Sequence, residues 1–241
     1  MADKNQEQPT IKPESTEKSI TQVKTDTINE KIDLIDRFTS SFLHDAVIKP
    51  KFLELLVFPF AVMFNPIAVL VLVYAIGYQF PKHNYKTDKT QEQVELYEYN
   101  DKPVNIDPLF YVIQYVAQVV VVLMLTTITK RLFKRQRPNV PAPAKRMVDF
   151  RTKETNGSMP SGDTAQAALF AFYIKFNFVH LFVRLGGDYF IAKFLTLVAL
   201  ARVFHHCHFF GDTIIGAMIG FLVAFGFEFY EIVLPLPFKL A

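Results

Sequence analysis

Apolar stretches poor in charge divide this chain at about 52–79, 108–129, 162–183, 188–207 and 212–234. A helix needs about 20 such residues to cross the ~30 Å hydrocarbon core of a bilayer, so the pattern demands a polytopic membrane protein. The whole chain is 51% hydrophobic. The expected fold class is therefore all-α, a membrane helix bundle of roughly five transmembrane helices preceded by an interfacial amphipathic helix. Pro59 and Pro66 predict a kink in the first stretch, because proline removes a backbone donor and clashes with the preceding turn. That stretch is too short for two spans, which would take ~40 apolar residues. Lys175 interrupts the third stretch and is expected to snorkel or to line the bundle interior, and Gly186-Gly187 predicts a tight turn before the fourth.

Upstream, residues 1–27 are polar and low in aromatics, so they are expected to be disordered unless a protein partner orders them. They lack both the apolar core of a secretory signal and the Arg-rich, acid-poor character of a mitochondrial presequence. Thr27-x-x-Glu30 reads as a capping box opening a helix. Ile28, Ile32, Ile35 and Phe42 then recur at helical spacing, which predicts an amphipathic helix over 28–50, lying on the membrane surface or packed on a partner subunit. Residues 52–241 form the expected membrane-embedded domain.

Net charge is +3, which gives no case for a nucleic-acid partner. The single cysteine, Cys207, excludes an internal disulfide and reads as a packed helix residue. Lys130, Arg131, Lys134, Arg135, Arg137, Lys145, Arg146, Arg151 and Lys153 crowd one set of span ends. The positive-inside rule puts that face, and the N-terminus with it, in the cytoplasm or an organelle's equivalent compartment.

Three polar clusters, all within 130–212, interrupt the apolar pattern at span ends, and short antiparallel connections would gather them on that same face. In Lys130-x6-Arg137-Pro138 the two cations fall on nearly one face of a continuing helix and can bracket a phosphoryl group, with Pro138 ending the helix. Arg131, Lys134 and Arg135 lie off that face and are expected to meet anionic lipid headgroups. Pro160-Ser161-Gly162-Asp163 opens the third span, where free N–H groups make an anion site and Gly162 permits close approach; an ordinary N-cap is the plain alternative. In Arg202-x5-His208-x3-Asp212, His208 and Asp212 either share a helix face or Gly211 breaks the helix and Asp212 caps the next. Either geometry lets a carboxylate hold one imidazole nitrogen and aim the other as a nucleophile, with Arg202 neutralising the phosphoryl oxygens. His205, His206 and His208 also fit a membrane-interface run, and no ligand spacing supports a metal.

In this order and spacing, the clusters resemble those of the type-2 phosphatidic acid phosphatase superfamily, which shares its fold with vanadium haloperoxidases. The resemblance covers roughly 108–235. It implies hydrolysis of a phosphorylated membrane lipid without a cofactor, His208 as the nucleophile that becomes a phosphohistidine, and Asp212 as its orienting partner. It further implies phosphate binding by Lys130, Arg137, Ser161, Gly162 and Arg202. Asp163 stands where the family has the histidine that protonates the leaving group, and Ala201 where it has a serine. Five spans rather than six are also expected, with the 28–50 helix as a stand-in for the missing one.

An ordinary aspartate is ionised at neutral pH and repels a second anion. Two outcomes follow. Bound phosphate and apolar surroundings protonate the carboxyl, or the substrate is a lipid diphosphate, whose phosphate leaving group departs more easily than an alkoxide. Alternatively, the Asp163 carboxylate replaces phosphate by pairing with Arg137, Arg202 or Lys130, and the chain is a silent structural or lipid-binding subunit of a membrane complex.

Overall fold

The computed structural model describes residues 20–44, 51–64, 66–80, 85–86, 98–99, 107–139, 148–151 and 156–230. The chain falls into two compact units, Met1–Ile35 and Asp36–Ala241. Of the first unit, residues 20–35 are described and are helical; the second holds everything that bears on the site.

The described architecture is helical apart from one two-residue antiparallel ribbon, β1 (Tyr85–Lys86) with β2 (Glu98–Tyr99), between the first two apolar stretches. Helix α1 runs Ile20–His44. It starts earlier than the capping signal predicts, so Thr27 and Glu30 lie in the helix interior and residues 20–27 belong to the same helix. A Thr-x-x-Glu spacing is equally compatible with mid-helix positions, and nothing in the sequence marks the true start. Residues 1–19 and 45–50, with the remainder of those two expectations, lie outside the described residues.

The first apolar stretch forms two helices, α2 (Lys51–Val62) and α3 (Pro66–Gln79), bent by 73°. The break falls at Pro66 and not at Pro59, which sits inside α2. Pro66 begins α3, the position where its missing N–H costs nothing. Helix α4 (Pro108–Phe133) opens on Asp107, whose Oδ1 accepts from the Leu109 N–H at 2.8 Å, and closes on Lys134 in the left-handed region (φ 46°). Helix α5 (Gly162–Asn177) is followed after Phe178 by the short α6 (Val179–Arg184). Gly186 and Gly187, at φ 105° and 61°, make the turn into α7 (Asp188–Phe204), and α8 spans Phe210–Phe229. Lys175 ion-pairs with Asp188 at 2.7 Å at that end of the bundle, the snorkelling arrangement.

Among the described residues, α4 and α8 are long and apolar enough to cross a membrane, and α2 with α3 counts as a third if it is one broken span. Helix α5 has 16 residues, a rise of about 24 Å, and α7 has 17, each shorter than the ~20 residues of an average crossing. Apolar side chains on α4 and α8, including Val120, Met124, Ile128, Met218, Leu222 and Phe225, face outward, as lipid contact requires.

Helix α5 occupies the centre. Ala165, Ala167, Ala168, Leu169, Ala171, Tyr173 and Ile174 are all buried, packing with Val73 of α3, Tyr111 and Tyr115 of α4, Phe194 of α7 and Val223 of α8. Its closest approach is to α8 through Gly216 and Gly220. A Cβ on Gly216 would overlap the Ser161 carbonyl oxygen; one on Gly220 would overlap the Ala165 oxygen and lie 2.8 Å from Leu169 N. This small-x3-small pair lets two backbones touch where no hydrophobic effect drives helices together in lipid. Gly220→Ala should therefore destabilise the purified protein by about 1–3 kcal/mol, read as a lower thermal midpoint in detergent, while Gly226→Ala, where a Cβ would meet nothing within 4 Å, should change it little.

Candidate active site

Four helix ends meet: the C-termini of α4 and α7 and the N-termini of α5 and α8. Helix α4 stops at Phe133, so the segment 134–139 is not helical. Lys130 is in the last turn of α4, whereas Arg137 and Pro138 lie beyond it. The shared helix face expected for Lys130 and Arg137 does not exist, and Pro138 is not what stops the helix. The left-handed turn at Lys134 ends it and lets the chain fold back under the bundle, where the Ser158 N–H donates to Arg135 O at 2.8 Å.

Arg137 is buried. Its Nε donates to Asn156 O at 2.8 Å and its Nη1 to Cys207 O at 2.6 Å, and Nη1 also lies 3.4 Å from His208 Nε2. Between α7 and α8 the chain turns through His206 at φ 56°, a left-handed conformation that histidine tolerates better than most residues. His205, His206 and Cys207 are all buried, so the interface reading of this histidine run does not hold.

His208 sits in the loop and Asp212 in the first turn of α8, the second of the two geometries open from the sequence, although α8 begins at Phe210, ahead of Gly211. Their coupling is indirect. His208 Nδ1 lies 2.7 Å from Ser158 O and 3.8 Å from Asp212 Oδ2. The carbonyl can only accept, so Nδ1 carries the proton and Nε2 presents its lone pair toward Arg137. Asp212 fixes the carbonyl's owner: its Oδ2 accepts from the Ser158 hydroxyl and from the Phe209 N–H, the latter at 2.9 Å. Its Oδ1 accepts from Arg135 Nη1 at 2.6 Å. A fully buried carboxylate needs donors of this kind on both of its oxygens.

Arg135 thus faces inward, contrary to the expectation that it meets lipid headgroups. Its Nη1 also donates to Asp36 Oδ2 of α1 at 2.7 Å, and its guanidinium lies 4.3 Å over the Phe209 ring. Arg131 and Lys134 are exposed beside it. From α1, Asp36 Oδ1 accepts from the Gly211 N–H at 2.7 Å and Ser40 Oγ from the Phe210 N–H at 2.9 Å, satisfying donors at the start of α8 that no turn of helix precedes.

Ser161 caps α5, its hydroxyl accepting from Thr164 N at 3.4 Å, and its own N–H donates to Asp212 O at 2.9 Å. A Cβ on Gly162 would meet no atom within 4 Å, so the approach to this helix start is open. Asp163 follows, its side chain 31% exposed, with Oδ2 3.0 Å from Arg202 Nη2. Arg202 Nη1 reaches Ala61 O of α2 at 3.4 Å. The structure therefore brings Arg137, His208, Asp212 and Ser161 into one hydrogen-bonded cluster, pairs Asp163 with Arg202 at the adjoining α5 terminus, and leaves Lys130 on the last turn of α4. No group of metal-ligating side chains is found among the described residues.

Ser158, Arg135 and Asp36 were not read as functional from the sequence. Ser158 acts partly through its carbonyl, which no side-chain motif encodes. Asp36, Ser40 and His44 do form a polar i, i+4, i+8 row, a signal that α1 has a polar mate.

No curated protein matches this sequence. Among solved structures, the crystal structure of a transmembrane PAP2-type phosphatidylglycerolphosphate phosphatase from Bacillus subtilis superposes with a TM-score of 0.52 at 17% identity, covering 81% of this chain and 85% of that chain. At that identity the likeness speaks for the fold, and with the apolar helices it makes this chain an integral membrane protein. The family model described as the PAP2 superfamily matches residues 111–231, from α4 through α8 and across Lys130, Arg137, Ser161, Asp163, Arg202, His208 and Asp212, and the chain belongs to that superfamily.

Proposed function

We propose that this protein hydrolyses a phosphorylated membrane lipid through a phosphohistidine on His208, with a preference for diphosphates. The observation that carries this reading is the state of His208, whose Nδ1–H is held by the Ser158 carbonyl while Nε2 faces the Arg137 guanidinium at 3.4 Å. A neutral imidazole so oriented is a nucleophile, and the adjacent cation stabilises charge on the phosphoryl oxygens as it develops. The Nε2 lone pair attacks phosphorus, and the leaving oxygen departs with the bonding pair. Water then attacks the phosphohistidine, which returns Nε2 and yields inorganic phosphate. Arg202 and the start of α5 serve phosphate binding, as does Lys130. Arg131 and Lys134 meet anionic headgroups, and the site opens to the cytoplasmic or equivalent side.

Asp163, paired to Arg202 at 3.0 Å, replaces the histidine that would give a departing alkoxide its proton. A diphosphate cleaved at its terminal phosphorus releases a phosphate monoester that needs none. Purified protein in mixed micelles should therefore turn over polyprenyl diphosphate at least about 10-fold faster than phosphatidate, the minimum usually lost with a missing general acid being greater still. Equal rates would remove the preference. The same ion pair favours one rival, a silent lipid-binding scaffold in which Asp163 stands in for phosphate. Folded protein releasing phosphate from neither lipid would select it.

A further inference from the structure

Helix α1 lies outside the matched family region of 111–231, yet its buried polar row reaches the centre of the site. We propose that Asp36 is a positioning residue that, by sharing Arg135 with Asp212, keeps the Asp212 carboxylate on Ser158 and so keeps the Ser158 carbonyl on His208. The proposal deepens the phosphohistidine reading and rests on it for its kinetic consequence, but its structural consequence stands independently.

One nitrogen of Arg135 makes both bonds. Nη1 donates to Asp36 Oδ2 at 2.7 Å and to Asp212 Oδ1 at 2.6 Å, and it has only two protons to give. The arginine side chain is 14% exposed, Asp36 12% and Asp212 0%, so solvent does little to weaken either contact. A guanidinium facing one carboxylate prefers a two-pronged contact with both oxygens. Asp36 blocks that by holding Arg135 end-on. Asp212 Oδ2 is thereby kept for the Ser158 hydroxyl and the Phe209 N–H. Ser158 in turn is oriented so that its carbonyl accepts the His208 Nδ1 proton at 2.7 Å.

Charge points the same way. Arg135 alone would cancel Asp212, leaving nothing negative beside an imidazole that becomes cationic as it bonds to phosphorus. The second carboxylate restores one net negative charge to the group. Asp36 is held in place from the other side by the Gly211 N–H on its Oδ1 at 2.7 Å. Asparagine at position 36 keeps that acceptor but loses the charge and turns the oxygen that accepts from Arg135 into a donor, which makes Asp36→Asn the informative change.

Full-length protein with 15N-histidine rings, in detergent micelles, supplies a readout independent of turnover. The His208 ring is assigned by its loss in His208→Gln. Wild type should show His208 as the Nδ1–H tautomer alone. Asp36→Asn should show a second, Nε2–H population, with kcat lowered about 10- to 100-fold and KM within about twofold, the penalty of a reacting group set slightly out of place. Adding Arg135→Gln to Asp36→Asn removes the cation that Asp36 no longer restrains, and should restore the single tautomer and most of kcat. A merely structural role for Asp36 predicts that the double variant is worse than either parent. Ser40→Ala, which removes the neighbouring contact to the Phe210 N–H without changing charge, should leave kcat within about threefold of wild type.

An unchanged tautomer in Asp36→Asn, a double variant no better than Asp36→Asn, or a loss in Ser40→Ala equal to that in Asp36→Asn would each overturn the proposal. Should Asp36→Asn fail to fold, the comparison moves to the Arg135→Gln background, where Asp36→Asn must leave the His208 ring signals unchanged; a change there overturns it. Wild type with no turnover of any lipid would refute the enzymatic reading alone, since the ring signals still decide the role of Asp36.

Discussion

The His208→Ala protein is expected to release phosphate on the order of 10⁴- to 10⁶-fold more slowly than wild type, the scale seen when a nucleophile is removed from a preorganised site. The reason lies in how singular this imidazole is. Its Nδ1 side is committed to the Ser158 carbonyl at 2.7 Å and its Nε2 side to the Arg137 guanidinium at 3.4 Å. Arg137 cannot leave that position easily, since its Nε and Nη1 are anchored on Asn156 O and Cys207 O. The loop that carries His208 is fixed by the Phe209 N–H on Asp212. Removing the ring leaves the cations and the α5 terminus able to bind phosphate, so substrate affinity should persist while kcat collapses. Two measurements check it: phosphate release in micelles, and an acid-labile phosphoprotein trapped by rapid quench from labelled substrate, present in wild type and absent in His208→Ala. Retained turnover in a folded variant would move the nucleophile elsewhere.

Much of the bundle was legible because lipid imposes so strong a rule on composition. The runs near 108–129 and 212–234 correspond to α4 and α8, and the double glycine is the turn before α7. Local chemistry was less legible wherever it depends on a backbone bend. The spacing of Lys130 and Arg137 suggests one face only if the helix continues, and the left-handed Lys134 ends it. Arg135 looked like one of several exposed cations because its carboxylate partners are 99 and 77 residues away in sequence. Ser158 contributes a carbonyl to His208, and every residue has a carbonyl. The spacing of His208 and Asp212 did foretell proximity, but 3.8 Å between them and a serine spanning the gap is a different device from direct contact. Gly216 and Gly220 carried a readable four-residue repeat whose meaning emerges only with α5 laid against it.

Asp163 is where sequence and structure bear most directly on one experiment. Asp163→His is expected to raise phosphatidate hydrolysis by about 10²–10⁴-fold, the usual contribution of a positioned general acid. Three terms act together. The imidazole carries a proton near neutral pH that it can give to the departing alkoxide. A negative charge disappears from the helix start where phosphate is to bind, and the positive end of the helix dipole there favours anions. Arg202 loses the carboxylate at 3.0 Å and is released to a substrate oxygen instead. The position accommodates the change, because the Asp163 side chain is 31% exposed and lies in the first turn of α5, clear of the buried contact between α5 and α8. The gain should depend on the substrate. A diphosphate already has a good leaving group, so its turnover should rise far less, by the electrostatic terms alone. The ratio of the two rates therefore separates proton donation from charge removal. A parallel rise on both lipids would assign the effect to the released Arg202, and no rise on either, in a protein that still folds, would mean that Asp163 is not what limits this site.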